Sequence, residues 1–176
     1  MTNSIIDDKI YCIGGYNKEG VLSSNECYNP ADDTWSKKAT MPTARQGITS
    51  QVIDGKIYVF GGYDGNNNVL NINECYNPET NTWETKVPML TARRDFTSVV
   101  VDDNIWCIGG MDEEIIGSIE CYNPANNTWT KVTDLPTPRK GLVASVIDNK
   151  LYCIGGRNSN GYLNINECFN IQDGNW

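Results

Sequence analysis

A pair of adjacent glycines returns four times in phase: Gly14-Gly15, Gly61-Gly62, Gly109-Gly110 and Gly155-Gly156, at steps of 47, 48 and 46 residues. A short apolar phrase precedes each pair: KIYCI from Lys9, KIYVF from Lys56, NIWCI from Asn104 and KLYCI from Lys150. Tryptophans keep the same rhythm at Trp35, Trp83, Trp129 and Trp176, with steps of 48, 46 and 47. Between the two landmarks stand NECYNP (from Asn25 and Asn73), IECYNP (Ile119) and NECFN (Asn166). Two landmarks locked together over four periods mean that one supersecondary unit is written four times. Such units bury their apolar faces by stacking on a neighbour.

Each unit reads as four short strands. GITSQVID is rich in β-formers and runs into Asp54-Gly55, a two-residue hairpin signal; Asp7-Asp8 and Asp148-Asn149 hold the same place. KIYVF is almost wholly apolar and reads as a strand buried on both faces, ended by the glycine pair. A polar loop follows, then NECYNP, stopped by Asn77-Pro78, and NTWETK as a short fourth strand. No segment carries a 3.6-residue apolar period. Four antiparallel strands per ~47 residues is the blade of a β-propeller, so the expected class is all-β with four blades. The repeats run approximately over 1–40, 41–88, 89–134 and 135–176. The twelve residues equivalent to Ser36–Gly47 are lacking after Trp176, so the last blade is expected to want its outer strand and the propeller to be partial and open. Bare blade faces at both ends are expected to favour self-association.

Composition narrows the chemistry. The net charge is −8, which repels phosphate backbones, so neither nucleic acid nor an acidic membrane is the expected partner. There is no histidine, which removes Ser-His-Asp and Cys-His catalysis and the commonest metal ligand. The seven cysteines fall at two repeat positions: Cys12, Cys107 and Cys153 in the second strand, and Cys27, Cys75, Cys121 and Cys168 in the third. Val59 is the fourth member of the first set, so that position asks for a small apolar side chain, and the cysteines read as structural thiols. No metal or other cofactor is expected. With no basic leader or long apolar run at the start, a cytoplasmic location is expected.

The diglycine, the tyrosine of ECYNP and the tryptophan of NTW together resemble the kelch motif, with phrasing similar to bacterial kelch-repeat proteins and to kelch-like proteins of animals. The resemblance covers essentially the whole chain. It implies a propeller of six or seven blades in most members, against four here. WD40 repeats, the nearest alternative, expect Gly-His and Trp-Asp signatures that this sequence lacks.

Two charged residues also repeat. Glu26, Glu74, Glu120 and Glu167 precede the third-strand cysteine, and Arg45, Arg93 and Arg139 follow the first three of the repeated tryptophans. A catalytic site needs one asymmetric constellation, so a copy in every blade reads as a structural pair. The repeated Tyr and Trp read as packing between blades rather than as a sugar platform. What varies is more informative. Tyr16, Tyr63, Met111 and Arg157 follow the glycine pairs, and Gln46, Arg94-Asp95 and Lys140 follow the repeated arginines. In kelch domains of ubiquitin-ligase adaptors these two loop sets share one face and hold a partner peptide. The resemblance therefore implies these eight residues as contacts for a protein or peptide, with a glycan as the alternative ligand. An enzyme is the lesser reading. Copper galactose oxidases need histidines, and a sialic-acid mutarotase would need an arginine and an acid such as Arg157 with Asp112 or Glu113, which nothing singles out. The expected function is a non-enzymatic binding module. A substrate-recognition part of a ubiquitin-ligase adaptor and a mutarotase-like propeller are the alternatives.

Overall fold

The computed structural model describes residues 1–66 and 68–176, and among them regular structure is entirely β. The first blade comprises β1 (Thr2–Ile6), β2 (Lys9–Ile13), a two-residue hairpin β3 (Tyr16–Asn17) and β4 (Gly20–Val21), then β5 (Asn25–Asn29) and β6 (Thr34–Lys37). The second has β7 (Thr49–Ile53), β8 (Lys56–Phe60), β9 (Asn73–Asn77) and β10 (Thr82–Thr85). The third has β11 (Thr97–Val101), β12 (Asn104–Ile108), β13 (Ser118–Asn123) and β14 (Thr128–Asp134). The last has β15 (Val143–Ile147), β16 (Lys150–Ile154), the small hairpin β17 (Arg157–Asn158) and β18 (Gly161–Tyr162), and β19 (Asn166–Asn170). Three sheets are four-stranded antiparallel meanders, and the last has three strands, β15-β16-β19. The all-β class, the four blades and the shortened last blade therefore stand as read from the repeats.

The hairpins between first and second strands need two left-handed residues in a row. Asp7 and Asp8 have φ of 49° and 58°, Asp54 and Gly55 50° and 66°, Asp102 and Asp103 46° and 58°, and Asp148 and Asn149 49° and 57°. Aspartate and asparagine tolerate this region better than other non-glycine residues, and the resulting turn matches the strand twist.

The chain divides into two compact units, residues 1–94 and 95–176, each with two blades. In the first unit, Ile6, Tyr11, Ile13 and Cys27 of the first blade share a core with Ile57, Val59 and Tyr76 of the second, and Met41 and Ile48 of the linker fill the seam. The second unit repeats the plan. Val99, Val101, Trp106, Ile108 and Ile119 meet Leu151, Cys153 and Phe169, with Leu135 and Leu142 between. Each such fully buried aliphatic contributes about 1.5–3 kcal/mol.

Positions that are buried in the first and third blades are bare in the last. Ile147 is 59% exposed, against 9% and 7% for its counterparts Ile6 and Val101; Ile154 is 45% exposed, against 0% for Ile13 and Ile108. On the first blade, Ile5 is 65% and Trp35 60% exposed.

The repeated Tyr and Trp pack first within a blade. They face each other across the third and fourth strands, with ring centroids 5.1 Å apart for Tyr28–Trp35 and Tyr76–Trp83 and 5.0 Å for Tyr122–Trp129. The tyrosine hydroxyl then donates to the left-handed residue of the turn that joins those strands: Asp33 at 2.9 Å, Asn81 at 2.8 Å and Asn127 at 2.8 Å. In the last blade both members change together, to Phe169 and Gly174. Packing between blades is added by the Trp83 indole, which donates to the Ala39 carbonyl of the preceding linker at 2.8 Å.

All seven cysteines are thiols. Burial pushes Cys153 up to about 12 and raises Cys12, Cys75 and Cys121 above the ordinary 9.0. The folded state keeps these thiols protonated while the unfolded chain ionises near pH 9, so it is the unfolded state that alkali favours. The urea midpoint is expected to hold level from pH 7 to about 8.5 and to fall as pH rises from there towards 12. Thiol titration in denaturant should count seven with or without reductant.

Candidate partner-binding loops

The loops after the glycine pairs are held by the linkers that carry the repeated arginines. Arg45 presents its carbonyl to the Gly15 amide at 3.0 Å, on the first blade. Its guanidinium reaches the other way, into the second blade, donating to the Glu74 carboxylate and to the Val59 carbonyl at 3.1 Å. The Arg45 Nη1 also donates to the Thr43 carbonyl at 3.0 Å, and the Thr43 hydroxyl donates to Glu74 at 2.9 Å. The second unit has the same device. The Arg139 carbonyl accepts from the Gly110 amide at 3.0 Å, while its guanidinium donates to Glu167, to the Cys153 carbonyl at 2.9 Å and to the Thr137 carbonyl at 2.8 Å. These pairs are structural, as a copy per blade suggested. Burial pushes Arg45 below its ordinary value and Glu74 pulls it back, so the cation persists through its carboxylate partner.

The arginine's successor is thereby set against the residue after the glycine pair. Gln46 and Tyr63 exchange two main-chain bonds, at 3.0 and 2.8 Å, and Lys140 and Arg157 do the same at 3.0 and 2.9 Å. Only glycine allows the approach: a Cβ on Gly62 (φ 105°) would meet Ile48 at 2.5 Å and the Gln46 carbonyl oxygen at 2.6 Å.

Within the first unit this brings Gln46, Tyr63 and Arg94 together. The Arg94 guanidinium lies over the Tyr63 ring, 5.5 Å from its centroid. Tyr16, on β3, is 64% exposed and pairs with Val21 rather than with a linker residue. Within the second unit Lys140, Met111 and Arg157 meet. The Lys140 ammonium sits 2.7 Å from the Met111 sulfur, and Arg157 lies 5.6 Å from the Tyr162 ring centroid. Asp95 (φ 55°) replaces the glycine found at Gly47 and Gly141, and its carbonyl accepts from the Gly141 amide at 2.7 Å. Sequence reasoning passed over Tyr162, which is 88% exposed. Its signal was present: Tyr162 stands opposite Arg157 as Val21 stands opposite Tyr16, Val69 opposite Tyr63 and Ile115 opposite Met111.

Chemically, each cluster is a rigid aromatic surface with a cation laid against it, on an acidic chain. Among the described residues no group of three or more His, Cys, Asp or Glu is arranged to hold a metal ion.

Comparison with known proteins agrees with this architecture. The family model described as the KLHDC2/KLHL20/DRC7 Kelch-repeats domain matches residues 1–135, and the Kelch motif model matches residues 138–176. A stretch of 41 residues is 51% identical to the Kelch repeat and BTB domain-containing protein 2 of ectromelia virus (strain Moscow), covering 23% of this chain and 7% of that protein. The horsepox virus protein of the same name is 46% identical over 41 residues, 23% of this chain and 8% of its own length. Both matches thus span less than a tenth of the relatives' length. Among solved structures, that of YjhT shares the fold, with a TM-score of 0.74 at 20% identity over 89% of this chain and 57% of that one. With its blades tied within each unit by a linker arginine, the chain is a member of the kelch-repeat β-propeller family, whose repeats commonly serve as protein-interaction modules.

Proposed function

We propose that this chain is a non-enzymatic binding module that grips an extended protein segment through the loops following its glycine pairs. The observation that carries the reading is the paired main-chain clamp, Gln46 on Tyr63 and Lys140 on Arg157. Scaffold residues repeat from blade to blade, while the side chains displayed on these clamps all differ. A rigid frame carrying variable loop residues, here Arg157 exposed and Gln46, Tyr63 and Lys140 half-buried, is the usual arrangement for recognition. In the first unit Tyr63 offers aromatic area with few rotors and Arg94 offers charge to carboxylates of a partner; in the second unit Tyr162 offers the aromatic area and Lys140 and Arg157 the charge. The pox-virus relatives join kelch repeats to a BTB domain by name, which supports a protein partner over a glycan.

Selection from a displayed peptide library is expected to enrich sequences with acidic residues beside an apolar one. Tyr63→Ala is expected to weaken peptides held by the first unit's loops, and Arg157→Ala those held by the second unit's loops, each about tenfold or more, with the thermal midpoint unchanged. Enriched peptides whose affinity is indifferent to both substitutions would count against the reading.

A further inference from the structure

The two main-chain clamps differ in what they set side by side. In the first unit the bridged residues are Gln46 and Tyr63; in the second they are two cations, Lys140 and Arg157. Residues that exchange both main-chain bonds in an antiparallel pair stand about 5.5 Å apart at Cα, with side chains on the same face. Like charges placed directly opposite in this way repel and cost stability. The backbone gives the pair no room to part. The Arg139 side chain, 0% exposed, anchors the linker one residue before Lys140 through the Cys153 carbonyl at 2.9 Å. One residue before Arg157, a Cβ on Gly156 (φ 94°) would meet the Lys140 carbonyl oxygen at 2.8 Å.

No acid answers these charges. Among the described residues, Lys140 and Arg157 make no ion pair, and that includes Asp112, Glu113 and Glu114 in the loop that opens at Met111. The Lys140 ammonium has instead the Met111 sulfur at 2.7 Å, a weak acceptor. Arg157 lies over the Tyr162 ring, 5.6 Å from its centroid, a contact that leaves the guanidinium charge uncancelled. A chain of net charge −8 thus sets two cations together on a thioether and a ring.

Given that these loops hold a protein segment, we infer that the second unit's clamp takes a phosphorylated side chain of that segment, one phosphate group bridging Lys140 and Arg157. A carboxylate brings one charge and two oxygens, and answers one of the two cations. A phosphate monoester brings nearly two charges and three strong acceptor oxygens, enough for an ammonium and a guanidinium fork together. The bridging anion turns the repulsion between the two side chains into a shared attraction. A nucleic-acid backbone is not the source, because each further phosphate meets the chain's negative net charge.

The test uses the full chain, isotopically labelled and titrated at constant ionic strength with phenyl phosphate and with benzoate. Chemical shifts are followed at the amides of Lys140, Gly141 and Arg157 and at the Met111 methyl. Phenyl phosphate is expected to saturate these shifts and to bind at least about tenfold tighter than benzoate. Lys140→Met and Arg157→Met are each expected to abolish that preference, since either leaves a single cation. Lys131→Met, which removes the same charge from β14, is expected to leave it intact. O-phosphoserine then separates the sources: weaker binding than phenyl phosphate names phosphotyrosine against the Tyr162 ring, and equal binding names phosphorylated side chains at large. Equal affinity for phenyl phosphate and benzoate, a preference that survives Lys140→Met, or no saturation with either probe would overturn the inference. Those results leave the wider reading to the peptide selection, which decides it separately. A single-stranded oligonucleotide held at this clamp as tightly as phenyl phosphate would also overturn it, by naming nucleic acid as the ligand.

Discussion

Gly62→Ala is expected to destabilise the protein by about 4 kcal/mol, and Gly141→Ala by only about 1 kcal/mol, as read from urea midpoints at constant m-value. Both glycines have positive φ, 105° and 61°. What separates them is the space around a new methyl. At Gly141 nothing lies within 4 Å, so the cost is that of holding alanine in a left-handed conformation. At Gly62 the methyl would stand 2.5 Å from the Ile48 side chain and 2.6 Å from the Gln46 carbonyl. Those atoms belong to the linker, and Ile48 is part of the core between the first two blades. The linker cannot retreat without parting Gln46 from Tyr63. A Gly62→Ala cost as small as that at Gly141 would mean that the linker gives way easily, and the clamp is not the rigid frame described.

The second large effect is expected at Arg45. Arg45→Met should cost about 3–5 kcal/mol, because it strands a carboxylate that is 2% exposed. Adding Glu74→Gln should recover part of that loss, since no net charge then remains buried. Recovery stays incomplete because the Val59 carbonyl, which accepts from Arg45 at 3.1 Å, has still lost its donor. Glu26→Gln, the same substitution on a carboxylate with no such partner, should stay within about 0.5 kcal/mol. Chemical denaturation of the two single variants and the Arg45→Met/Glu74→Gln pair measures the coupling directly. Strictly additive costs at Arg45 and Glu74 would show the two residues to be energetically independent.

The blades were legible because their signals are local. Apolar strands, Asp-Gly-like turns and the glycine pairs lie within a few residues of one another, and their phase repeats. The shortened last blade followed from counting. The pairing of Arg45 with Glu74 was half legible: both residues stood out as repeats, but a span of 29 residues across a linker leaves no local trace of which glutamate each arginine seeks. The small hairpins β3-β4 and β17-β18 were read as loops, because two-residue strands are too short to show alternation. Tyr162 was passed over for the same reason. Its role depends on facing Arg157 across four intervening residues, and the distance between them is set by the Gly161 backbone at φ 122°. The tyrosine–turn clasp was read only as ring packing, since the hydroxyl's acceptor lies five residues on in a turn that looks generic.

The divided allegiance of the linker arginines bears on how the molecule comes apart. The main chain of Arg45 is bonded to one sheet and its side chain to the next; Arg139 does likewise in its own unit. Were one sheet to fray, it would release a charge inside its neighbour. The period of the gene text and the period of melting are therefore different lengths: amide protons of paired sheets should exchange with solvent as one cooperative block.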